Sequence, residues 1–304
     1  MDVTEYGTPR PGWSTVRSVG DLRPGDHAWL ASTHPDEKHR VMGDFVFDGL
    51  SAAQRVVCVT DTAPQYLPGL LDRHNIDARP FAEAGHLEVI PWRQACARHG
   101  RADPEMLGKT LEREIHRAFE GRFRAIRITA DMTWAAALPG GMEFMLACDG
   151  AMECLVGPST QAMAVCQVDM RAARSADALN ALQNHHEVLV EVNPDYDDGV
   201  LRMVRTYAPH GLRLEGEIDS ARHPVFTKAL TTVSTPRAEV HLELGRLKFI
   251  DLGALKMLGA HALELTRGNG LVLDNPTPDL ENVIRMVGFH LFPGITRGKG
   301  WRTM

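Results

Sequence analysis

Arg55-Val56-Val57-Cys58-Val59-Thr60 is short, apolar and rich in β-branched residues, the pattern of a buried strand. Strand and helix patterns alternate on either side of it. Upstream, His27-Ala28-Trp29-Leu30-Ala31 reads as a short strand. Thr33-His34-Pro35 then resembles a helix start, with Thr33 as cap and Pro35 in the first turn. Val41, Met42, Phe45, Val46 and Leu50 share one face of that helix. Downstream, residues 62–74 suit a helix and 86–90 a strand. From Pro104 to Glu120, Leu107, Leu111, Ile115 and Phe119 recur every four residues, which marks an amphipathic helix. Residues 123–129 read as a strand, 140–154 as a helix, 162–168 as a strand, 176–184 as a short helix and 186–192 as a last strand. This alternation predicts an open, mostly parallel α/β sheet with helices on both faces.

The chain has 304 residues, 44% hydrophobic and 24% charged, which suits about two soluble globular domains and excludes a wholly disordered chain. No run of about 18 apolar residues occurs, so no transmembrane helix is expected. Met1-Asp2-Val3-Thr4-Glu5 lacks the basic start of a secretory signal, and a cytoplasmic setting is the expectation. Residues 1–20, poor in periodicity, read as a flexible arm. Asn193-Pro194-Asp195-Tyr196-Asp197-Asp198-Gly199 is turn-forming and acidic, and places a boundary between units 21–197 and 198–304. Residues 1–197 hold 19 Lys/Arg and 28 Asp/Glu, and residues 198–304 hold 14 and 11. The weakly basic second part carries no Lys/Arg cluster, so direct nucleic-acid binding is not expected. The five cysteines, at 58, 96, 148, 154 and 166, form no C-x-x-C and read as reduced thiols.

After the boundary the pattern changes. Leu212-Arg213-Leu214-Glu215-Gly216-Glu217-Ile218 and Val240-His241-Leu242-Glu243-Leu244 alternate with period two, as half-buried strands do. Residues 224–233, 252–265 and 278–287 read as helices, the last capped by Thr277, and 270–274 as a further strand. A compact unit of about 100 residues follows, with strands and helices in turn.

Motifs for catalysis are weak. Gly108-Lys109-Thr110 mimics the end of a phosphate loop, but Asp103 stands where the first glycine belongs and the triplet lies inside an amphipathic helix. The place for such a loop, after the first strand, is Ser32-Thr33-His34-Pro35-Asp36-Glu37-Lys38-His39, which has no glycine to form a phosphate nest. His34 with His39, and the adjacent His185-His186-Glu187, lack the i, i+4 spacing of a zinc helix, and no metal site is expected. His27 opens the first strand, near the expected ligand edge. Asp131 and Trp134 follow the 123–129 strand, where open α/β sheets bind ligands beyond the carboxyl ends of their strands. In the second unit Asp251 stands between strand and helix, placed to cap the helix start.

The second unit resembles the STAS domain, the fold of anti-sigma factor antagonists, over residues 198–295. The resemblance rests on Leu214-Glu215-Gly216-Glu217-Ile218-Asp219, on Val240 to Leu244, on Phe249-Ile250-Asp251 before the following helix, and on Gly270-Leu271-Val272-Leu273. Antagonist members carry Asp-Ser-Ser-Gly after that Phe-Ile-Asp strand and are phosphorylated on the second Ser. Here the stretch is Asp251-Leu252-Gly253-Ala254, so the phosphoacceptor position is Gly253, which has no hydroxyl. The first unit is similar to the MEDS domain, the methanogen/methylotroph, dichloromethane-repressor-type sensory domain, over residues 18–192. That resemblance rests on Gly25-Asp26-His27, on 45–50 and 56–60, on Asp131-Met132-Thr133-Trp134, on Val165-Cys166-Gln167-Val168-Asp169 and on His185-His186-Glu187-Val188-Leu189-Val190. It implies a degenerate RecA/KaiC-like fold that senses small molecules.

Together these resemblances imply a signalling regulator without catalytic residues. The sensory unit binds a small-molecule ligand through His27, Asp131 and Trp134. The STAS-like unit engages an anti-sigma factor, or a related histidine-kinase-like ATPase, through Asp251, Leu252 and Gly253. A homodimer is compatible with this reading, no membrane is involved, and no cofactor is specified. The rival readings are a nucleotide-binding, ATPase-like enzyme and a scaffold without a ligand in a stress-signalling complex.

Overall fold

The computed structural model describes residues 15–61, 67–99, 101–157, 161–172, 181–235, 238–265 and 270–301. The chain divides into two compact units, Met1–Asn193 and Pro194–Met304. The division falls before the expected 197 because Tyr196–Asp197 (β10) already pairs antiparallel with the second unit's Leu201–Tyr207 (β11).

The first unit is built on seven strands, β1 (Thr15–Ser18), β2 (His27–Ser32), β3 (Arg55–Thr60), β4 (Leu87–Pro91), β7 (Ile126–Asp131), β8 (Ala162–Asp169) and β9 (Val188–Glu191). Two-residue strands β5 (Ala97–Arg98) and β6 (Arg101–Ala102) form a separate hairpin. The sheet order is β1-β9-β2-β8-β7-β3-β4, and every pair in it is parallel. A parallel sheet buries both faces, and β3 illustrates how. Val57 and Val59 point into a core shared with the helices Pro104–Glu120 and Gly141–Leu155. Val56 and Cys58 point the other way, into a core with Val46, Leu50 and Leu71 beneath the helix Pro35–Ser51.

Two expectations are corrected. Thr15–Ser18, assigned to the loose arm, is the edge strand β1, tied down by Arg17, which donates to the Asp26 carboxylate at 2.7 and 2.8 Å. The cap of the first long helix is His34 rather than Thr33, its Nδ1 accepting from the Asp36 N–H at 3.2 Å. Residues 62–66, within the expected 62–74 helix, and 176–180, within the expected 176–184 helix, lie outside the described residues. Of the first, Leu67–Leu71 is helical and continues into a 3-10 turn.

The second unit is a six-stranded mixed sheet in the order β10-β11-β12-β13-β14-β15, with β12 His210–Ile218, β13 Val240–Ile250, β14 Leu271–Asp274 and β15 Ile295–Arg297. Its first three strands are antiparallel and its last four run parallel. Leu212, Leu214, Leu242, Leu244, Leu271 and Leu273 join Phe226, Leu230, Leu255, Leu258 and Ile284 in one core under the helices His223–Val233, Leu252–Glu264 and Pro278–Met286. The period-two reading located β12 and β13. It missed β11 and β15, whose sequences carry no clean alternation. No helix among the described residues is long and apolar enough to cross a membrane.

A buried ion pair fastens the Pro104–Glu120 helix to the sheet. Arg55 donates to Glu114 Oε2 at 2.7 Å, and Glu114 also accepts from Arg117 at 2.7 Å. Arg55→Met would leave the buried Glu114 carboxylate without its interior partner. A loss of about 3 kcal/mol is expected in urea denaturation of the full chain, and unchanged stability would show that the pair fastens nothing.

Candidate functional site

Parallel strands bring all their carboxyl ends to one edge, and there the first unit has a cavity of about 470 Å³. It opens beyond the ends of β3, β7 and β8 and beside the first turns of the Pro35–Ser51 helix. Asp131 closes β7 and is buried. Its Oδ2 accepts from Lys38 Nζ at 2.5 Å, and its Oδ1 from the Thr133 N–H at 3.0 Å. Thr129, two residues earlier and so on the same face, donates through Oγ1 to Met42 Sδ at 3.0 Å and accepts from Gln167 Nε2 at 2.7 Å. Gln167 is itself buried, and its Oε1 has no hydrogen-bond partner among the described residues. Met42, Cys58 and Leu70 supply an apolar wall. Burial pushes the Cys58 thiol up to about 12, so this wall stays uncharged. The cavity therefore combines a neutralised Lys–Asp pair, the polar side chains of His39, Thr129, Gln167 and Asp169 and apolar surface, a lining suited to a small molecule with an apolar body and a polar end.

The structure does not gather His27, Asp131 and Trp134 into one pocket; Asp131 alone lines the cavity. Trp134 packs on the opposite face, stacked on Trp92 with ring centroids 3.8 Å apart and edge-on to Phe144 at 5.3 Å. His27 stands at the amino end of β2, across the sheet from the ligand edge, because all seven strands run the same way. Its Nε2 is 3.3 Å from Cys166 Sγ and 3.4 Å from Asp149 Oδ1, and its ring centroid is 4.3 Å from that of His186. Burial and His186 push His27 down to about 4. His186, expected on a strand, sits in the turn before β9 and is buried against Asp149, Nε2 to Oδ1 at 3.0 Å.

Sequence reasoning passed over Lys38, Thr129 and Gln167. A signal for Lys38 was present, since it stands six residues after Ser32, where a phosphate loop would carry its lysine. Thr129 and Gln167 lie in apolar strands and give no sign of which face they occupy. Gly108-Lys109-Thr110 is an ordinary piece of helix. Thr110 Oγ1 is buried and donates to the Ala95 carbonyl at 3.2 Å, and Lys109 pairs on the surface with Glu105.

In the second unit Asp251 caps the Leu252–Glu264 helix, Oδ1 accepting from the Ala254 N–H at 2.7 Å. His223 Nε2 holds the same carboxylate at 2.9 and 3.1 Å. The cap bond, together with His223, keeps Asp251 below the usual carboxylate range. Leu252 is 61% exposed and Phe249 48%, so apolar surface flanks the helix start. A Cβ on Gly253 would come within 2.5 Å of His223 Cε1.

Among families, the MEDS domain (MEthanogen/methylotroph, DcmR Sensory domain) matches residues 26–186, and the Mlab-type STAS domain matches residues 202–293. A solved KaiC-like protein from the hyperthermophilic archaeon Pyrococcus horikoshii is similar at 12% identity and a TM-score of 0.40, over 60% of this chain and 79% of that one. No curated protein matches the chain at a significant level.

The crowding at Gly253 has a measurable consequence. Gly253→Ser, which restores the hydroxyl of the phosphoacceptor position, must displace the His223 ring from Asp251. A stability loss of about 1–2 kcal/mol is expected in thermal unfolding, and a variant as stable as the parent would show that the ring yields freely.

Proposed function

Because the chain belongs to the MEDS family of sensory domains and carries a STAS domain behind it, we propose that it is a signalling regulator that reads a small molecule in its first unit and engages a protein partner through its second. The observation that carries the sensing half is the cavity at the carboxyl ends of β3, β7 and β8, lined by Gln167, whose buried Oε1 has no partner among the described residues. A buried acceptor without a donor costs free energy, and a ligand that supplies the donor recovers it. The apolar wall of Met42, Cys58 and Leu70 favours hydrocarbon for the rest of that ligand. Short alcohols and amines fit this description. The partner half rests on the exposed Leu252 beside the capped helix start of Asp251 and Gly253, and the partner proposed is an anti-sigma factor or a related histidine-kinase-like ATPase. With Gly253 at the phosphoacceptor position, control comes from the sensory unit rather than from phosphorylation there. Such control requires the ligand to bind two states of the chain unequally.

One observation favours nucleotide binding as a second reading. Lys38 and Asp131 stand on the first helix and at a strand end, where phosphate-loop enzymes hold a lysine and a metal-binding aspartate. Here the two neutralise each other, and the loop before Lys38 has no glycine.

Calorimetric titration of the full chain with the alcohols from ethanol to butanol is expected to give saturable binding that Gln167→Leu weakens about tenfold, close to 1.4 kcal/mol. Binding of ATP with magnesium, with no response to any alcohol or amine, would overturn the sensor reading in favour of the second. For the partner, Leu252→Asp should fold as the parent does, since the side chain is mostly in solvent, yet lose capture of the anti-sigma protein. Equal capture by parent and variant would remove this surface from the proposal.

A further inference from the structure

Four side chains from four separate segments converge on the Trp29 face of the first sheet. They are His27 at the start of β2, Asp149 on the Gly141–Leu155 helix, Cys166 in β8 and His186 before β9. One ligand-type atom from each lies within 4.8 Å of all the others. Around a tetrahedral divalent ion with bonds of about 2.0–2.3 Å, neighbouring ligand atoms stand roughly 3.3–3.8 Å apart. His27 Nε2 is 3.3 Å from Cys166 Sγ and 3.4 Å from Asp149 Oδ1, and His186 Nε2 is 3.0 Å from the same oxygen.

The protein leaves this cluster electrically incomplete. The Asp149 side chain is 4% exposed, and among the described residues no group outside the cluster donates a hydrogen bond to its oxygens. The His186 ring has its Nδ1 2.9 Å from the Leu182 carbonyl. That carbonyl only accepts, so Nδ1 carries a proton and donates it. In the neutral ring the lone pair is then on Nε2, which faces the Asp149 carboxylate at 3.0 Å. Two lone-pair carriers opposed in a dry interior call for a cation between them, a proton or a metal ion, and the Cys166 thiol and the second imidazole of His27 at the same point favour the metal. The Nδ1–carbonyl bond is also the contact that orients a metal-bound histidine.

We propose that His27, Asp149, Cys166 and His186 form a binding site for a single zinc ion. Two imidazoles, a thiolate and a carboxylate match the ligand preferences of zinc, and their two negative charges offset its two positive ones. On binding, Cys166 forms the sulfur–zinc bond as its thiol proton leaves to solvent, so uptake releases a proton. The neighbouring wall is apolar, with Trp29, Leu107, Met145, Met152 and Leu182. Four protein ligands close the coordination sphere, which makes the site structural rather than catalytic. The ion would tie β2, β8 and the Gly141–Leu155 helix to the turn that leads into β9, and through β9 to the edge strand β1. It would also hold β8 at Cys166, next to Gln167, whose side chain faces the ligand cavity from the opposite face.

The full chain, stripped with a chelator and dialysed, is titrated with cobalt(II) as a spectroscopic stand-in and then with zinc. One equivalent of cobalt is expected to give visible bands of tetrahedral intensity and a near-ultraviolet thiolate-to-cobalt band, which one equivalent of zinc abolishes. Zinc should raise the melting temperature by roughly 5–10 °C. Cys166→Ser should lose the thiolate band and His186→Gln should lower affinity at least tenfold, whereas Cys154→Ser, at an exposed thiol outside the cluster, should behave as the parent. The parent spectrum needs no variant to fold. Weak octahedral bands without the thiolate transition, no retained metal after gel filtration, or a thiolate band that survives Cys166→Ser would each overturn the proposal and leave the cluster as a buried imidazolium–carboxylate network.

Discussion

All seven strands of the first unit run in the same direction, and both its candidate ligand cavity and its histidine cluster follow from that constraint. A parallel sheet cannot close with hairpins, so each strand returns through a crossover, and helices cover both faces. Every carboxyl end then meets one edge and every amino end the other. The cavity forms where the strands end, beside the Pro35–Ser51 helix, and it takes polar side chains from residues that would otherwise be core. Thr129, Asp131 and Gln167 are buried, and each belongs to a strand whose alternate residues are apolar.

The same alternation separates two chemistries that are adjacent in sequence. Cys166 and Gln167 are neighbours in β8, and the pleat sends them to opposite faces. Cys166 meets His27, Asp149 and His186 under the Gly141–Leu155 helix. Gln167 meets Thr129 under the Pro35–Ser51 helix. A movement of β8 by a fraction of an ångström would be felt on both sides, because packed interiors leave little free volume. In the second unit the corresponding economy is at Asp251, a single carboxylate that caps a helix and holds His223. The absence of a side chain at Gly253 is what lets that ring lie there.

Hydrophobic patterning made much of the fold legible. Arg55–Thr60 and Pro104–Glu120 were read to the residue, because a β-branched run and a four-residue apolar repeat each report on burial directly. Short elements were not legible. The β1 strand looked like a loose arm, since four residues are too few to establish a period and its order depends on pairing with β9, more than 170 residues away. The site was legible only at Asp131, which stands after a strand in an α/β pattern. Lys38 had a positional signal that the missing glycines obscured. His27 and Trp134 were visible as chemistry-bearing residues, but their faces were not.

Order, spacing and composition by themselves determined the class of fold, the two-part division of the chain and the two family resemblances, because all of these are written in local periodicity and short motifs. Tertiary structure alone decided which polar residues share a space. Lys38 meets Asp131 across 93 positions, and His27 meets Cys166 across 139. No local pattern encodes such meetings. They arise when strand order brings β2 beside β8 and β8 beside β7, and when the pleat chooses a face for each side chain.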